Sequence, residues 1–311
     1  FIDLPAFDSK FASFVFDDLP VIVHNQQIQS KNLLKAMSFN PFRSAVYFTY
    51  WAQAQTFNGN ITEQNVAGFR LVNIILHWLA GVLLLWAGYL IFPNQKYLPA
   101  VAVLFFWLNP VFLEAQNLVL GRTEIMATIF YLLAICFYLR PTRPLLSTIG
   151  FFIALILALL SKEVAATLPV AVVLLSLYKS ERPKWLLAIG GLALVLLYLI
   201  LRLNWTIELA KSPQLVPAWS SHFLGQNWIF WFSTLKILIP LHLNFDYHLT
   251  KNQSPGIIFL LANLVFFPWI LISAIRGWKT GWLILIYPLT YLPLAIIPLA
   301  DQLRESRLYL S

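Results

Sequence analysis

Residues 145–178 read LLSTIGFFIALILALLSKEVAATLPVAVVLLSLY. Two apolar blocks, 145–160 and 164–178, are separated only by Ser161-Lys162-Glu163. Charges wedged this close to hydrocarbon are costly, so they are paired or functional where they persist. The stretch therefore reads as a helical hairpin in a bilayer, with a charged tip and almost no loop.

The same pattern extends in both directions. Apolar blocks fall at 70–92, 98–113, 125–139, 184–202, 256–275 and 280–300. Block 228–243 carries Lys236, Pro240 and His242, which make it a poor span, and it reads as re-entrant or interfacial. The expected fold is an all-α polytopic membrane protein with about eight transmembrane helices, the shorter ones needing flanking residues or a thinned bilayer. Its expected organisation is a large first outer loop at 1–69, transmembrane helices at 70–202, an outer loop with the re-entrant segment at 203–255, and transmembrane helices with a charged terminal motif at 256–311. Beginning at Phe1 and stopping at Ser311 beside a charged cluster, the sequence reads as a piece of a longer chain.

Composition agrees with this reading. The 311 residues are 59% hydrophobic and only 11% charged, against about 25% charged in an ordinary soluble domain. A cytosolic globular protein, a disordered tail and a disulfide scaffold are excluded; the single cysteine, Cys136, lies inside an apolar block. The net charge of +8 is scattered between blocks rather than gathered in a patch, so nucleic acid is not an expected partner and the lipid bilayer is. With 1–69 outside, the inward loops carry Lys96, Arg140, Arg143, Lys179, Arg182 and Lys184, as the positive-inside rule requires. Of the 13 acidic residues, only Glu181 then falls inward.

The outer face gathers the candidate chemistry. Asp17 and Asp18 are adjacent carboxylates after an aromatic stretch: the plain reading is a helix cap or turn, and the functional one is general-base work, which burial and mutual repulsion favour by raising a pKa. They could also hold Mg²⁺ or Mn²⁺, and metal dependence stays open at this point. Glu114 and Glu124 bracket a short outer loop whose only cation is Arg122; Lys162 and Glu163 form the hairpin tip; Asp301, Arg304, Glu305 and Arg307 follow the last block. Carboxylates and cations on one membrane face suit a lipid phosphate with a sugar projecting into water, because arginine binds phosphate oxygens through paired donors. An internal salt-bridge network is the alternative. Phosphate-binding glycine loops and nucleophile elbows are missing from the sequence, and His242 and His248 beside Asp246 lack a third ligand at regular spacing, so no metal-ligating set is assigned.

In order, Phe14-Val15-Phe16-Asp17-Asp18, Phe69-Arg70-Leu71-Val72-Asn73, Asn109-Pro110-Val111 through Glu114-Ala115, Gly121-Arg122-Thr123-Glu124, Ser161-Lys162-Glu163, Asn244-Phe245-Asp246-Tyr247 and Glu305-Ser306-Arg307 resemble the membrane part of the transmembrane and tetratricopeptide-repeat O-mannosyltransferases and their prokaryotic relatives. These belong to the GT-C class of glycosyltransferases. The resemblance implies an inverting transfer of a hexose, typically mannose, from a polyprenyl- or dolichyl-phosphate donor to a Ser or Thr hydroxyl of an exported protein. It implies a base at Asp17 or Asp18, with Asp17 favoured. It implies phosphate contacts from Arg122, Lys162 and Arg307, and sugar- or cation-orienting roles for Glu124, Glu163 and Asp246. Arg43, Glu114 and Glu305 complete the expected substrate-binding set. The sequence departs from the family pattern at Arg43-Ser44, Glu124 and Glu305-Ser306-Arg307, which leaves room for a lipid or cell-surface polymer as acceptor. A lipid-sugar flippase and a non-catalytic membrane subunit are the rival readings.

Overall fold

The computed structural model describes residues 18–140, 144–209, 219–241, 243 and 256–296. Every described element is helical. After a π-helical turn at Leu19–Val23 come three helices of the first loop: α1 (Gln26–Gln29), α2 (Leu33–Ser38) and α3 (Ser44–Thr56). Asparagine side chains start the first two. Asn25 accepts from the amides of Gln27 and Ile28, and Asn32 from that of Lys35, satisfying donors that a helix start leaves orphaned.

α4 (Val66–Ile91) follows, 26 residues long. At 1.5 Å per residue that is about 39 Å, enough to cross a hydrocarbon core of about 30 Å. α5 (Leu98–Leu108) ends at Asn109-Pro110, because a residue before proline is driven out of the helical region; Asn109 is extended, with φ −74° and ψ 118°. The chain bends by 51° into Pro110–Asn117, which contains α6 (Leu113–Asn117). A 3₁₀ turn at Val119–Gly121 then feeds α7 (Arg122–Leu139). Next come α8 (Pro144–Leu159), a 3₁₀ segment at Glu163–Thr167, α9 (Leu168–Lys179), α10 (Trp185–Leu209), α11 (Trp219–Leu238), α12 (Gly256–Ile275), α13 (Thr280–Ile284) and α14 (Ile286–Ile296).

Among the described residues, four helices are long and apolar enough to cross a membrane: Val66–Ile91, Val119–Leu139, Trp185–Trp205 and Gly256–Ile275. The bent pair through Asn109 makes a fifth if it is one span. The expected blocks at 145–160, 164–178 and 280–300 fold as shorter helices, so the length criterion alone gives fewer crossings than the eight of the sequence. The helix at block 228–243 begins earlier, at Trp219, and ends at Leu238.

Burial is that of a membrane bundle. Ile75, Trp78 and Val82 of α4, Leu196, Leu197 and Ile200 of α10, and Ile257, Leu261 and Val265 of α12 are large apolar side chains exposed on the outside. Such faces are stable only against lipid, and the chain is an integral membrane protein. α7 is the central post, contributing Ile135 and Cys136 to one apolar core, Ile125 and Ile129 to a second, and Met126, with Val119 of the preceding turn, to a third beneath the first loop. The α11–α12–α14 corner is zipped by polar groups instead. Tyr291 donates to Gln226 at 2.6 Å, Asn263 to Asn227 at 2.9 Å, and Trp231 to Asn263 at 2.8 Å.

Candidate functional site

The start of α7 is held by groups from far upstream. Asp18 is 1% exposed, and its carboxylate accepts the amides of Val119 (3.1 Å) and Leu120 (3.0 Å). It acts as a helix cap supplied from about a hundred residues away, with its negative charge at the positive end of the α7 dipole. The carbonyls of the same loop are equally engaged. Tyr50 Oη donates to Val119 O at 2.8 Å, Asn73 Nδ2 to Leu118 O at 2.8 Å, and Arg70 Nε to Asn117 O at 2.9 Å. Gly121 is required here, since a Cβ would stand 2.1 Å from the carbonyl oxygen of Ala115.

Arg122 lies in the middle of this knot with no exposed surface. Its Nε donates to Asn73 Oδ1 (2.8 Å), its Nη1 to Thr49 Oγ1 (3.2 Å), and its Nη2 to Gln53 Oε1 (2.9 Å) and Phe69 O (3.0 Å). The guanidinium also sits 4.7 Å from the Tyr50 ring centre. The expectation that Arg122 holds phosphate meets a side chain with no exposed surface and four of its five donors on protein acceptors. It pins α3 and α4 to α7. Burial pushes the Tyr50 phenol far above its ordinary value, outweighing the downward pull of Arg122.

Two residues along, the Glu124 carboxylate pairs with the Lys162 ammonium, their side chains 6% and 8% exposed. Beside Lys162, Glu163 accepts from Arg202 Nη1 at 2.9 Å and lies 3.9 Å from Arg43 Nη2. Burial pushes the Glu163 carboxyl up, but Arg43, Arg202 and Lys162 together outweigh it and hold the group at about 2. Arg43 is the most open of these, with 32% of its side chain exposed. Glu114 is buried at the start of α6, 3% exposed. Asp17, Asp246, Glu305 and Arg307 lie outside the described residues.

The sequence reading thus names residues that do converge: Asp18, Arg43, Arg122, Glu124, Lys162 and Glu163 meet where the first loop, α7 and the 161–163 tip adjoin. It missed Arg202, and it missed the roles of Tyr50, Arg70 and Asn73. One signal was present: Arg70, Asn73 and His77 recur at helical spacing within an otherwise apolar block, a polar stripe on one face of α4.

Below the Glu124–Lys162 pair, the same face of α7 continues through Thr128, Tyr131, Leu132 and Ile135 into a cavity of about 450 Å³. Leu84 of α4, Phe105 and Phe106 of α5, Thr234 and Ile237 of α11, and Tyr287 and Thr290 of α14 close it. The lining is mostly apolar, and the buried Thr128 hydroxyl has no hydrogen-bond partner among the described residues. As for a metal, no three His, Cys, Asp or Glu side chains gather among the described residues. Asp18 suits a cation poorly, because both its oxygens accept amides at the positive end of a helix.

No family model matches the chain, and no solved structure is similar to it. Curated proteins are. The human protein O-mannosyl-transferase TMTC3 is 29% identical over 146 residues, covering 44% of this chain and 16% of the relative. The Caenorhabditis elegans protein O-mannosyl-transferase F38B6.6 is 27% identical over 271 residues, covering 78% of this chain and 37% of the relative. The human protein O-mannosyl-transferase TMTC1 is 28% identical over 143 residues, covering 41% and 16%. The chain therefore spans between about a sixth and two fifths of these relatives' lengths.

Proposed function

We propose that this chain is the membrane part of a GT-C glycosyltransferase. It moves a hexose, mannose in the first instance, from a polyprenyl- or dolichyl-phosphate donor to a Ser or Thr hydroxyl of an exported protein. The observation that carries the reading is the continuity of one face of α7: the Glu124–Lys162 pair at its head, an apolar cavity below. That order matches an amphiphile with a phosphate head and an isoprenoid tail. The similarity to curated O-mannosyltransferases supports the same reaction and a protein acceptor.

In this reading α8, α9 and the α13–α14 pair also cross the bilayer, giving about eight spans, and α11 is the re-entrant element. The site faces the outer or lumenal side, since Lys96, Arg140, Lys179, Arg182 and Lys184 stand at the opposite end. Lys162 and Arg43 meet the donor phosphate, with Arg307 assigned beside them by resemblance. Glu124 and Glu163 orient those cations, and Asp246, Glu114 and Glu305 are left to the sugar and its surroundings. Asp17 is the base. The acceptor oxygen attacks the anomeric carbon, its proton passes to the Asp17 carboxylate, and the bond from that carbon to the phosphate oxygen breaks. Configuration inverts, and polyprenyl phosphate leaves with the electron pair. Asp18, anchored to the amides of the turn that leads into α7, fixes the chain next to Asp17 rather than taking the proton itself.

The test uses the full-length protein in nanodiscs with radiolabelled mannosyl-phosphoryl polyprenol and a Ser/Thr-rich exported protein. Wild type should label the protein with inverted linkage, and Asp17→Asn should abolish labelling without altering thermal unfolding. Equal labelling by both proteins, or sugar appearing only in lipid or polymer, would overturn the proposal.

A further inference from the structure

At the end of the bundle away from the Asp18 knot, cations converge on two helix ends. Lys184 Nζ donates to the carbonyl of Tyr138 in the last turn of α7 and lies 4.9 Å from that residue's ring centre. Lys179 Nζ donates to Leu90 O, in the last turn of α4, at 3.2 Å. Arg140, at the C-cap of α7, holds its guanidinium 5.9 Å from the ring centre of Trp86, one turn back on α4. Arg182 is exposed in the short connection before Lys184.

Helix C-termini carry about half a negative charge each, which accounts for part of this basicity. It does not account for all of it. Glu181 pairs with Lys179 at 3.5 Å and also acts electrostatically on Lys184, but among the described residues no carboxylate forms an ion pair with Arg140, Arg182 or Lys184. A lysine has three donors, and Lys184 spends one on a carbonyl. The Lys184 stem is thus pinned while two of its donors remain. The apolar surroundings are equally specific: Trp185 and Leu186 next to Lys184, and Leu145 and Leu146 at the start of α8, are 59%, 78%, 74% and 56% exposed. Bare apolar surface beside fixed cations suits acyl chains below a phosphate.

We infer that this end of the bundle is a binding site for the headgroup of an anionic phospholipid, held by Arg140, Arg182 and Lys184, with acyl chains against Trp185 and Leu186. The inference does not rest on the transferase reading. A purely zwitterionic lipid brings a choline cation into the same cluster and is disfavoured there. Each juxtaposed cation is worth about fivefold in affinity for an anionic surface.

Native mass spectrometry of the purified full chain, titrated with phosphatidylglycerol or phosphatidylcholine, tests it. Wild type should retain phosphatidylglycerol selectively, and Lys184→Gln should lower that retention about fivefold. Arg140→Gln with Arg182→Gln, at two exposed positions, should lower it about 25-fold while thermal unfolding in neutral detergent is unchanged. The control Lys31→Gln with Lys35→Gln, in the first loop, should leave it unaltered. Equal retention of the two lipids by wild type, or full retention by the double variant, would overturn the inference.

Discussion

Glu124 and Lys162 form an ion pair in which both side chains are more than nine-tenths buried, joining the first turn of α7 to the tip of the α8–α9 hairpin. Taking two charges out of water is costly, and removing only one of them leaves the other uncompensated. Glu124→Gln or Lys162→Met alone should therefore destabilise the protein by about 3–5 kcal/mol. The double variant should recover most of that in thermal unfolding. Recovery of transfer activity along with stability would mean that the pair is only structural; a stable but inactive double variant is expected if Lys162 meets the donor phosphate.

Arg122 should behave differently. Its planar fork reaches acceptors on both α3 and α4, a geometry that an ammonium cannot reproduce. Arg122→Lys should lose about 3 kcal/mol or more of stability despite keeping the charge. Unfolding midpoints, compared with activity per folded molecule, check this: the loss should fall on the midpoint.

Adjacent aspartates should separate cleanly. Asp18→Asn can accept one amide but presents an N–H₂ group to the other, costing about 1–3 kcal/mol. Asp17→Asn should leave the unfolding midpoint unchanged and abolish transfer. Chemical denaturation and a transfer assay on both variants decide between them, and the reverse pattern would reassign the base.

Much of this organisation is visible in the amino-acid sequence, and the remainder is hidden for a definite reason. The 145–178 hairpin, the charged tip and the α4 and α12 spans follow from hydrophobic block length. The convergence of Lys162 with Glu124 follows from placing both on one membrane face. What a sequence does not display is the acceptor. Arg122 looks like a free cation in a short loop because its partners are a hydroxyl, two amides and a carbonyl some 49–73 residues upstream. Asp18 reads either as a cap or as a reactive carboxylate because its partners are backbone amides, which every residue but proline carries.

Glu163 gives a pH signature. Its folded-state pKa of about 2 lies below the ordinary 4.5, so the unfolded chain takes up its proton first as pH falls. The stabilisation is whole above about pH 4.5 and is lost as pH falls toward 2, with a ceiling of about 3 kcal/mol. Unfolding midpoints measured from pH 7 to pH 2 should drop less steeply for Glu163→Gln than for wild type, once its lower starting point is subtracted.

Filling the apolar cavity should act on the donor rather than on the fold. Leu132→Trp projects bulk into the space between α7, α5 and α14. It should raise KM for a long-chain donor at least tenfold and leave KM for a donor with a single isoprene unit nearly unchanged. Kinetics with the two donors make the comparison.

The Arg122 knot also bears on how the chain enters its membrane. Thr49, Gln53, Phe69 and Asn73, the four residues that receive its hydrogen bonds, all precede it in sequence. Synthesis runs from the N-terminus, so these acceptors leave the ribosome before the arginine does. An arginine entering lipid alone would meet a steep insertion barrier; this one follows all four of its acceptors along the chain, so none of them has still to be synthesised when it emerges.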